Sequence, residues 1–250
     1  MQRFFVQREE LEGDEVVMRR QAHQIRNVLR LKTGEHIILL DNEGWAYEMN
    51  LTKVSRNEVK GEIVEKREAK GEPSVKITLY QGMSAREKFE WVLQKCTEIG
   101  VARFVPMITE RSIVRDCEIK QSKMERWRRI IEEAAEQSHR GRIPELSPPT
   151  TFEKALDGID SYGWKLIATP ASEGSSLRDC LKGCTCGRAK GGGGIGVFVG
   201  PEGGLTEEEV RRSVERGARA FSLGERILRT ETAAVVASAV ILYELGQLEG

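Results

Sequence analysis

Between residues 198 and 210 the chain reads FVGPEGGLTEEEV. An apolar run stops at Gly200 and Pro201, one carboxylate (Glu202) sits among glycines, and a helix start follows. Bare backbone between a strand and a helix often cradles a phosphate. The residues downstream argue against that here. Thr206 and Glu209 have the T-x-x-E spacing of a capping box, so the helix satisfies its own first amides. Glu207, Glu208 and Glu209 suit the positive helix end but would repel a phosphate. No Lys follows the glycines as it does in a phosphate-binding loop. A neutral or cationic ligand lying against Gly200, Pro201, Gly203 and Gly204 fits better.

Two kinds of basic residues stand out. In LGERILRTETAAVV, Arg226 and Arg229 lie between a strand and a helix so apolar that it should be buried nearly all round, which sets both guanidiniums beside buried structure. RRQAHQIRNVLRLK, residues 19–32, contains no acid. On a helix Arg19, His23, Arg26 and Arg30 share one face, and Ala22, Ile25 and Leu29 share the other. A face of one charge sign points to a nucleic-acid backbone. A second basic cluster, His139, Arg140 and Arg142 around Gly141, follows a long helical stretch, and its two arginines join the candidate RNA contacts.

Other patterns carry less. GGGGIGVFVG is no dinucleotide fingerprint, because its glycines precede a strand instead of opening a helix. Cys180, Cys184 and Cys186 lie close together without a matching fourth ligand nearby, so no metal is expected. Lysine plus arginine equals aspartate plus glutamate at 39 each, so any RNA site must arise from local clustering. Five cysteines, an odd number in a long chain, argue against a disulfide framework. MQRFFVQREE lacks a secretory h-region, and AAVVASAVILY is too short to span a bilayer, so the expected location is cytoplasmic.

The elements that must position these residues fall into two groups. FFV, EHIILLD, WAYEMNLTKV and EVKGEIVE are short β-forming runs separated by turn signals, which predicts a small antiparallel barrel or sandwich over residues 1–72, interrupted by one helix at 21–31. REAKGEP reads as a linker. From residue 73 to 250 strands alternate with helices: VKITLY, RFVPMI, KLIAT, IGVFVG and ARAFSL against helical patterns at 84–100, 122–138, 206–217 and 231–245. That alternation predicts an α/β domain with a largely parallel sheet. Ligands bind at the carboxyl ends of such strands, where TPASEG, PEGG and GERILRTE begin.

GPEGGLTEEE, LGERILRTETA, EQSHRGRIP, QKCTEIGV and HQIRNVLRLKTGE resemble the RsmE family, the 16S ribosomal RNA methyltransferases that modify uridine N3 within the knotted SPOUT class. The motifs run in the family's order from about residue 23 to about residue 240. The resemblance implies a PUA-like barrel that helps bind RNA, a trefoil-knotted α/β domain, a homodimer, and S-adenosylmethionine (SAM) as methyl donor. It also implies cofactor loops at Thr169 and Pro170, at Gly200 to Gly204, and at Leu223, Gly224, Arg226, Ile227, Leu228 and Arg229. CLKGCTCGRAKGGGG departs from the family pattern as an insertion.

SAM is a cationic sulfonium without phosphate, which agrees with the glycine loop and its acidic helix start. For transfer to uracil N3, Glu202 is a candidate base, not separable by sequence from a water or from Glu231. Arg229 either stabilises charge on the uracil oxygens or grips an RNA phosphate. Two rivals stay open: a knotted enzyme acting on tRNA, and an RNA-binding relative without catalysis.

Overall fold

The computed structural model describes residues 1–11, 15–170, 174–186 and 193–248. The chain forms two compact units. The first comprises Met1–Glu72 and Ala135–Ile143; the second comprises Pro73–Ala134 and Pro144–Gly250. The range 73–250 expected for the second domain is therefore interrupted, because Ala135–Ile143 packs with the first unit.

In the first unit, β1 (Arg3–Phe5), β2 (Glu15–Met18), β3 (His36–Leu40), β4 (Trp45–Val54) and β5 (Val59–Glu68) form one sheet in the order β1-β3-β4-β5-β2. All pairs are antiparallel except β1 with β3, which is parallel. Both faces of β3 are buried, and alternation explains how. Ile37 and Leu39 join Phe4, Met18, Ile25 and Met49 in one core, while Ile38 and Leu40 join Phe5, Ala46 and Ala135 in another. The second core is the reason residues after Ala134 belong to this unit.

The expected helix at 21–31 is much shorter. Gln24–Val28 form a π-helical turn, and the chain leaves it through Leu29 into Arg30, whose φ is +56°. Its faces still divide as charge and hydropathy require. Ala22 and Ile25 are buried, and Arg19, His23, Arg26 and Arg30 are exposed.

The second unit holds β6 (Ile77–Gly82), β7 (Arg103–Ile108), β8 (Glu145–Leu146), β9 (Thr150–Thr151), β10 (Trp164–Ala168), β11 (Ser175–Ser176), β12 (Ile195–Val199) and β13 (Arg219–Ser222). Their order is β11-β13-β10-β12-β6-β7-β8, with β9 also on β7, and every pair is parallel. The helices are α1 (Arg86–Ile99), α2 (Gln121–Gln137), α3 (Phe152–Asp157), α4 (Leu177–Leu181), α5 (Glu207–Glu215) and α6 (Thr230–Glu244). Phe198 of β12 stacks on Tyr80 of β6 with centroids 4.2 Å apart, inside a core that includes Val105, Phe152 and Ile167. Among the described residues, no helix is long and apolar enough to cross a membrane.

Candidate cofactor and RNA sites

Three parallel strands bring three loops to one edge of the sheet. β10 and β12 pair in parallel, as do β10 and β13, so the loops after Ala168, Val199 and Ser222 leave the same side. They enclose a cavity of about 930 Å³. Its lining includes every residue expected there: Thr169, Pro170, Gly200, Pro201, Glu202, Gly203, Gly204, Leu223, Gly224, Arg226, Ile227, Leu228 and Arg229. Residues 171–173 of the TPASEG loop, and Gly191 and Gly192 of the glycine run, lie outside the described residues.

The glycines have separate reasons to be there. A Cβ on Gly200 would stand 2.8 Å from the Gly204 carbonyl carbon, so the turn closes only on bare backbone. Gly204 has φ +71° and Gly224 has φ +100°, conformations that side chains resist, and nothing crowds either of them. Both thus leave open backbone beside the cavity. Gly82, at the end of β6, would place a Cβ 2.3 Å from the Pro201 nitrogen, which locks the β6 end against the GPEGG turn.

Beneath the cavity floor runs a buried chain of hydrogen bonds. Gln81 Nε2 donates to Thr230 Oγ1 at 2.9 Å, and Thr230 Oγ1 donates to the Gly200 carbonyl at 2.5 Å. This joins β6, the GPEGG turn and the start of α6. The helix after the turn caps itself as its spacing requires. Thr206 Oγ1 accepts from the Glu209 amide, and Glu209 Oε2 accepts from the Thr206 amide. Glu209 Oε1 accepts from Glu110 as well, which ties α5 to the segment after β7.

Glu202 is engaged. Its Oε1 accepts from the Ala85 amide and from Lys88 Nζ, each at 3.1 Å. Partial burial pushes its carboxyl up, but its own amide, the Ala85 amide and Lys88 outweigh that and hold it below the ordinary carboxylate range. A carboxylate held as an anion in this way suits a latch between the turn and α1, and suits a general base less well.

Arg226 and Arg229 are both exposed, although Arg229 directly precedes buried Thr230. Between them Ile227 is 99% exposed and Leu228 partly buried. The apolar character of α6 begins only after Arg229, which is its N-cap at φ −64° and ψ 152°. Among the described residues neither guanidinium has a hydrogen-bond or ion-pair partner. The Arg229 carbonyl accepts from Ala233, so the backbone is fixed while the side chain is free.

Lys88 and Arg111 also line the cavity and were missed. Arg111 Nη1 donates to the carbonyls of Gly203 and Leu205 at 3.1 and 3.2 Å, bracing the glycine turn. Both residues follow the carboxyl ends of parallel strands, β6 and β7, so the rule that located the other three loops also covers them.

The second basic cluster serves the first unit's own architecture. Arg140 is buried at 2% exposure and donates through Nε and Nη2 to the Glu72 carboxylate at 3.1 and 2.8 Å. Arg142 donates to the carbonyls of Asn42 and Glu43, and its amide donates to Glu72. Of these two arginines, both expected to contact RNA, Arg140 is withdrawn into its buried ion pair, while Arg142 is exposed. Sequence shows charge but not the acid and carbonyls that absorb it. Cys180, Cys184 and Cys186 are buried, and Cys180 Sγ donates to the Ala220 carbonyl at 3.5 Å.

Comparison with known proteins agrees with this architecture. The family described as RNA methyltransferase domain matches residues 71–242, and RNA methyltransferase PUA domain matches residues 19–64. The chain is 33% identical over 255 residues to ribosomal RNA small subunit methyltransferase E of Bacillus subtilis, covering all of this chain and 99% of that protein.

The chain belongs to the ribosomal RNA small subunit methyltransferase E family.

The family member of Aquifex aeolicus is 31% identical, over 94% of this chain and 96% of its own. The crystal structure of the family member of Neisseria gonorrhoeae, bound to S-adenosyl methionine, superposes with a TM-score of 0.84 at 34% identity, covering 97% of each chain. The fold is the one the resemblance implies for this family, a curled PUA-like sheet and a SPOUT α/β-knot domain.

Proposed function

We propose that this protein transfers the methyl group of SAM to N3 of a uridine in 16S ribosomal RNA of the small subunit. The observation that carries the reading is the cavity of about 930 Å³ built from three glycine- and proline-bearing loops at one edge of a parallel sheet. Its residues fit SAM. Open backbone at Gly204 and Gly224 allows close approach of a flat adenosine. The acidic first turn of α5, Glu207 to Glu209, which follows the glycine turn, disfavours a phosphate there. When bound, SAM supplies an electrophilic methyl group. Thr169 and Pro170, Gly200 to Gly204 and Leu223 to Arg229 would hold it.

The protein's own task is positioning, worth about 7–11 kcal/mol for well-oriented reactants. The fixed Arg229 backbone presents a guanidinium without a protein partner, and that donor set matches a uracil that has lost its N3 proton. The lowered Glu202 carboxyl argues for a water, or Glu231, as the proton acceptor. Glu231 Oε2 is buried without a partner. Exposed Arg19, His23, Arg26 and Arg30 give the first unit a face for RNA phosphates.

The active species is a homodimer. Val236, Ala239 and Val240 on α6 are only partly buried, and Tyr243 is 61% exposed, which leaves an apolar strip for a second copy. Its substrate places the protein in the cytoplasm with the ribosome. Titration calorimetry tests the cofactor assignment: one SAM per chain is expected, and no heat at millimolar SAM would overturn it. Sedimentation of a fully active monomer would overturn the dimer.

A further inference from the structure

A second pocket lies wholly within the first unit. It has a volume of about 240 Å³ and is lined by Arg8, Asp41, Glu43, Trp45, Tyr47 and Lys66. That is below the range of drug-sized sites and matches a single base with part of its sugar. Large aromatic side chains are normally buried, yet Trp45 is 39% exposed here. Lys66 Nζ stands 4.6 Å from the Trp45 ring centroid and 5.1 Å from that of Tyr47. Arg8 Nη1 meets Glu43 Oε2 at 3.4 Å in a pair that is 73% and 59% exposed, too open to be held firmly.

We propose that this pocket captures one unpaired nucleotide of the substrate RNA. The proposal rests on the RNA-methyltransferase reading above and adds a subsite to it. Each part of a nucleotide finds a matching group. The rings of Trp45 and Tyr47 offer a stacking surface, and every base has a π-face to use it. Glu43 is an exposed carboxylate, able to accept from the N–H groups of a base edge. Arg8 and Lys66 supply cations for the flanking phosphate. A base that stacks on Trp45 takes the place of the Lys66 ammonium, which moves on its flexible stem to the phosphate.

The pocket walls are fixed in advance. Asp41 Oδ1 accepts from the amides of Glu43 and Trp45 at 2.8 and 3.0 Å, and its Oδ2 accepts from Tyr47 at 3.4 Å. Asn42, at φ +61°, gives the turn its shape, and Arg142 ties down the carbonyls of Asn42 and Glu43.

The test uses the full-length protein and two fluorescein-labelled probes followed by anisotropy. One is a mixed-sequence single-stranded RNA of about ten nucleotides. The other is the same strand annealed to its complement. Trp45→Ala should weaken binding of the single strand by about 5- to 150-fold and leave the duplex unchanged. Trp45→Phe, which keeps a ring, should stay within about threefold of wild type. A second measurement needs no variant: a 4-thiouridine probe irradiated on the wild-type protein should crosslink to Trp45 or Tyr47. Trp45→Ala within twofold of wild type at an unchanged melting temperature would overturn the proposal. So would an equal loss on both probes, or adducts confined to other residues. A wild-type protein that methylates 16S RNA while failing these tests loses only the subsite. One that passes them but methylates nothing loses the methyltransferase reading instead.

Discussion

Two pairs of arginines sit near helix ends, Arg140 and Arg142 after α2 and Arg226 and Arg229 before α6, and they do opposite things. The first pair is engaged by the protein itself: buried Arg140 lies in a bidentate contact with Glu72, and Arg142, though exposed, donates to two carbonyls. The second pair is exposed, lines the large cavity, and has no partner among the described residues. The composition of the two stretches is alike, so charge alone does not mark function. What separates them is whether the fold supplies the counter-charge. An arginine with its acid already beside it stabilises structure, while one held by fixed backbone with an empty fork is available for substrate.

The sharpest way to break this contrast is to remove one member from each pair. Arg229→Ala should lower the single-turnover rate by about 10²–10³-fold, the usual cost of one preorganised donor, with the melting temperature unchanged. Arg226→Ala, in the same loop, should cost much less. Arg140→Ala should do the reverse. It leaves the Glu72 carboxylate, whose side chain is only 15% exposed, without its cation and with the Arg142 amide alone, and should cost about 2–3 kcal/mol of stability, discounted from a fully buried pair. Differential scanning calorimetry checks this, and the surviving folded protein should bind SAM normally. If Arg140→Ala instead left melting unchanged and abolished RNA binding, the division between the pairs would fail.

A milder test concerns the basic face of the first unit. Changing Arg19, Arg26 and Arg30 together to Gln should reduce the slope of log K against log salt by about 2 for single-stranded RNA. SAM affinity should not move. An unaltered slope would make this face merely solvated. Smaller still is the helix cap: Thr206→Ala should cost about 1 kcal/mol by losing the Glu209 amide contact, read as a shifted denaturation midpoint.

The smallest effect is expected at Glu202. Its folded carboxyl lies below the ordinary range, so its contribution to stability is fully present above the unfolded value and is lost as pH falls through the folded one. Between pH 8 and pH 5 the turn should therefore be indifferent to pH. Glu202→Gln should leave the acid limb of the pH–rate profile where it is and cost less than about tenfold in rate. A general base would cost about 10²–10⁴-fold and shift that limb.

Much of the lining of the large cavity was legible in the sequence because its causes are local. A T-x-x-E spacing fixes the α5 cap, glycines fix the GPEGG turn, and strand alternation with helices places three loops on one edge. Arg111 and Lys88 escaped because only three strand ends were followed, although β6 and β7 end on the same side. The burial of Arg140 could not be read from EQSHRGRIP, since its partner Glu72 is distant in sequence. The helix expected at 21–31 kept its two faces but shrank to a π-helical turn, with Ala22, Ile25, Leu29 and Leu31 reaching the sheet core. Short strands such as β2, β8, β9 and β11 lack the length for a periodic signal and are set by pairing with distant strands.

The central claim is that this cavity and its free arginine methylate a uracil ring nitrogen of 16S RNA. Nucleoside mass spectrometry tests it most directly. Unmethylated small-subunit particles are incubated with the wild-type protein and isotopically labelled SAM, and the 16S RNA is digested. We predict label in 3-methyluridine alone, at a single position, and none with Arg229→Ala over the same interval. Label on a ribose oxygen, in tRNA in preference to 16S RNA, or nowhere, would contradict it.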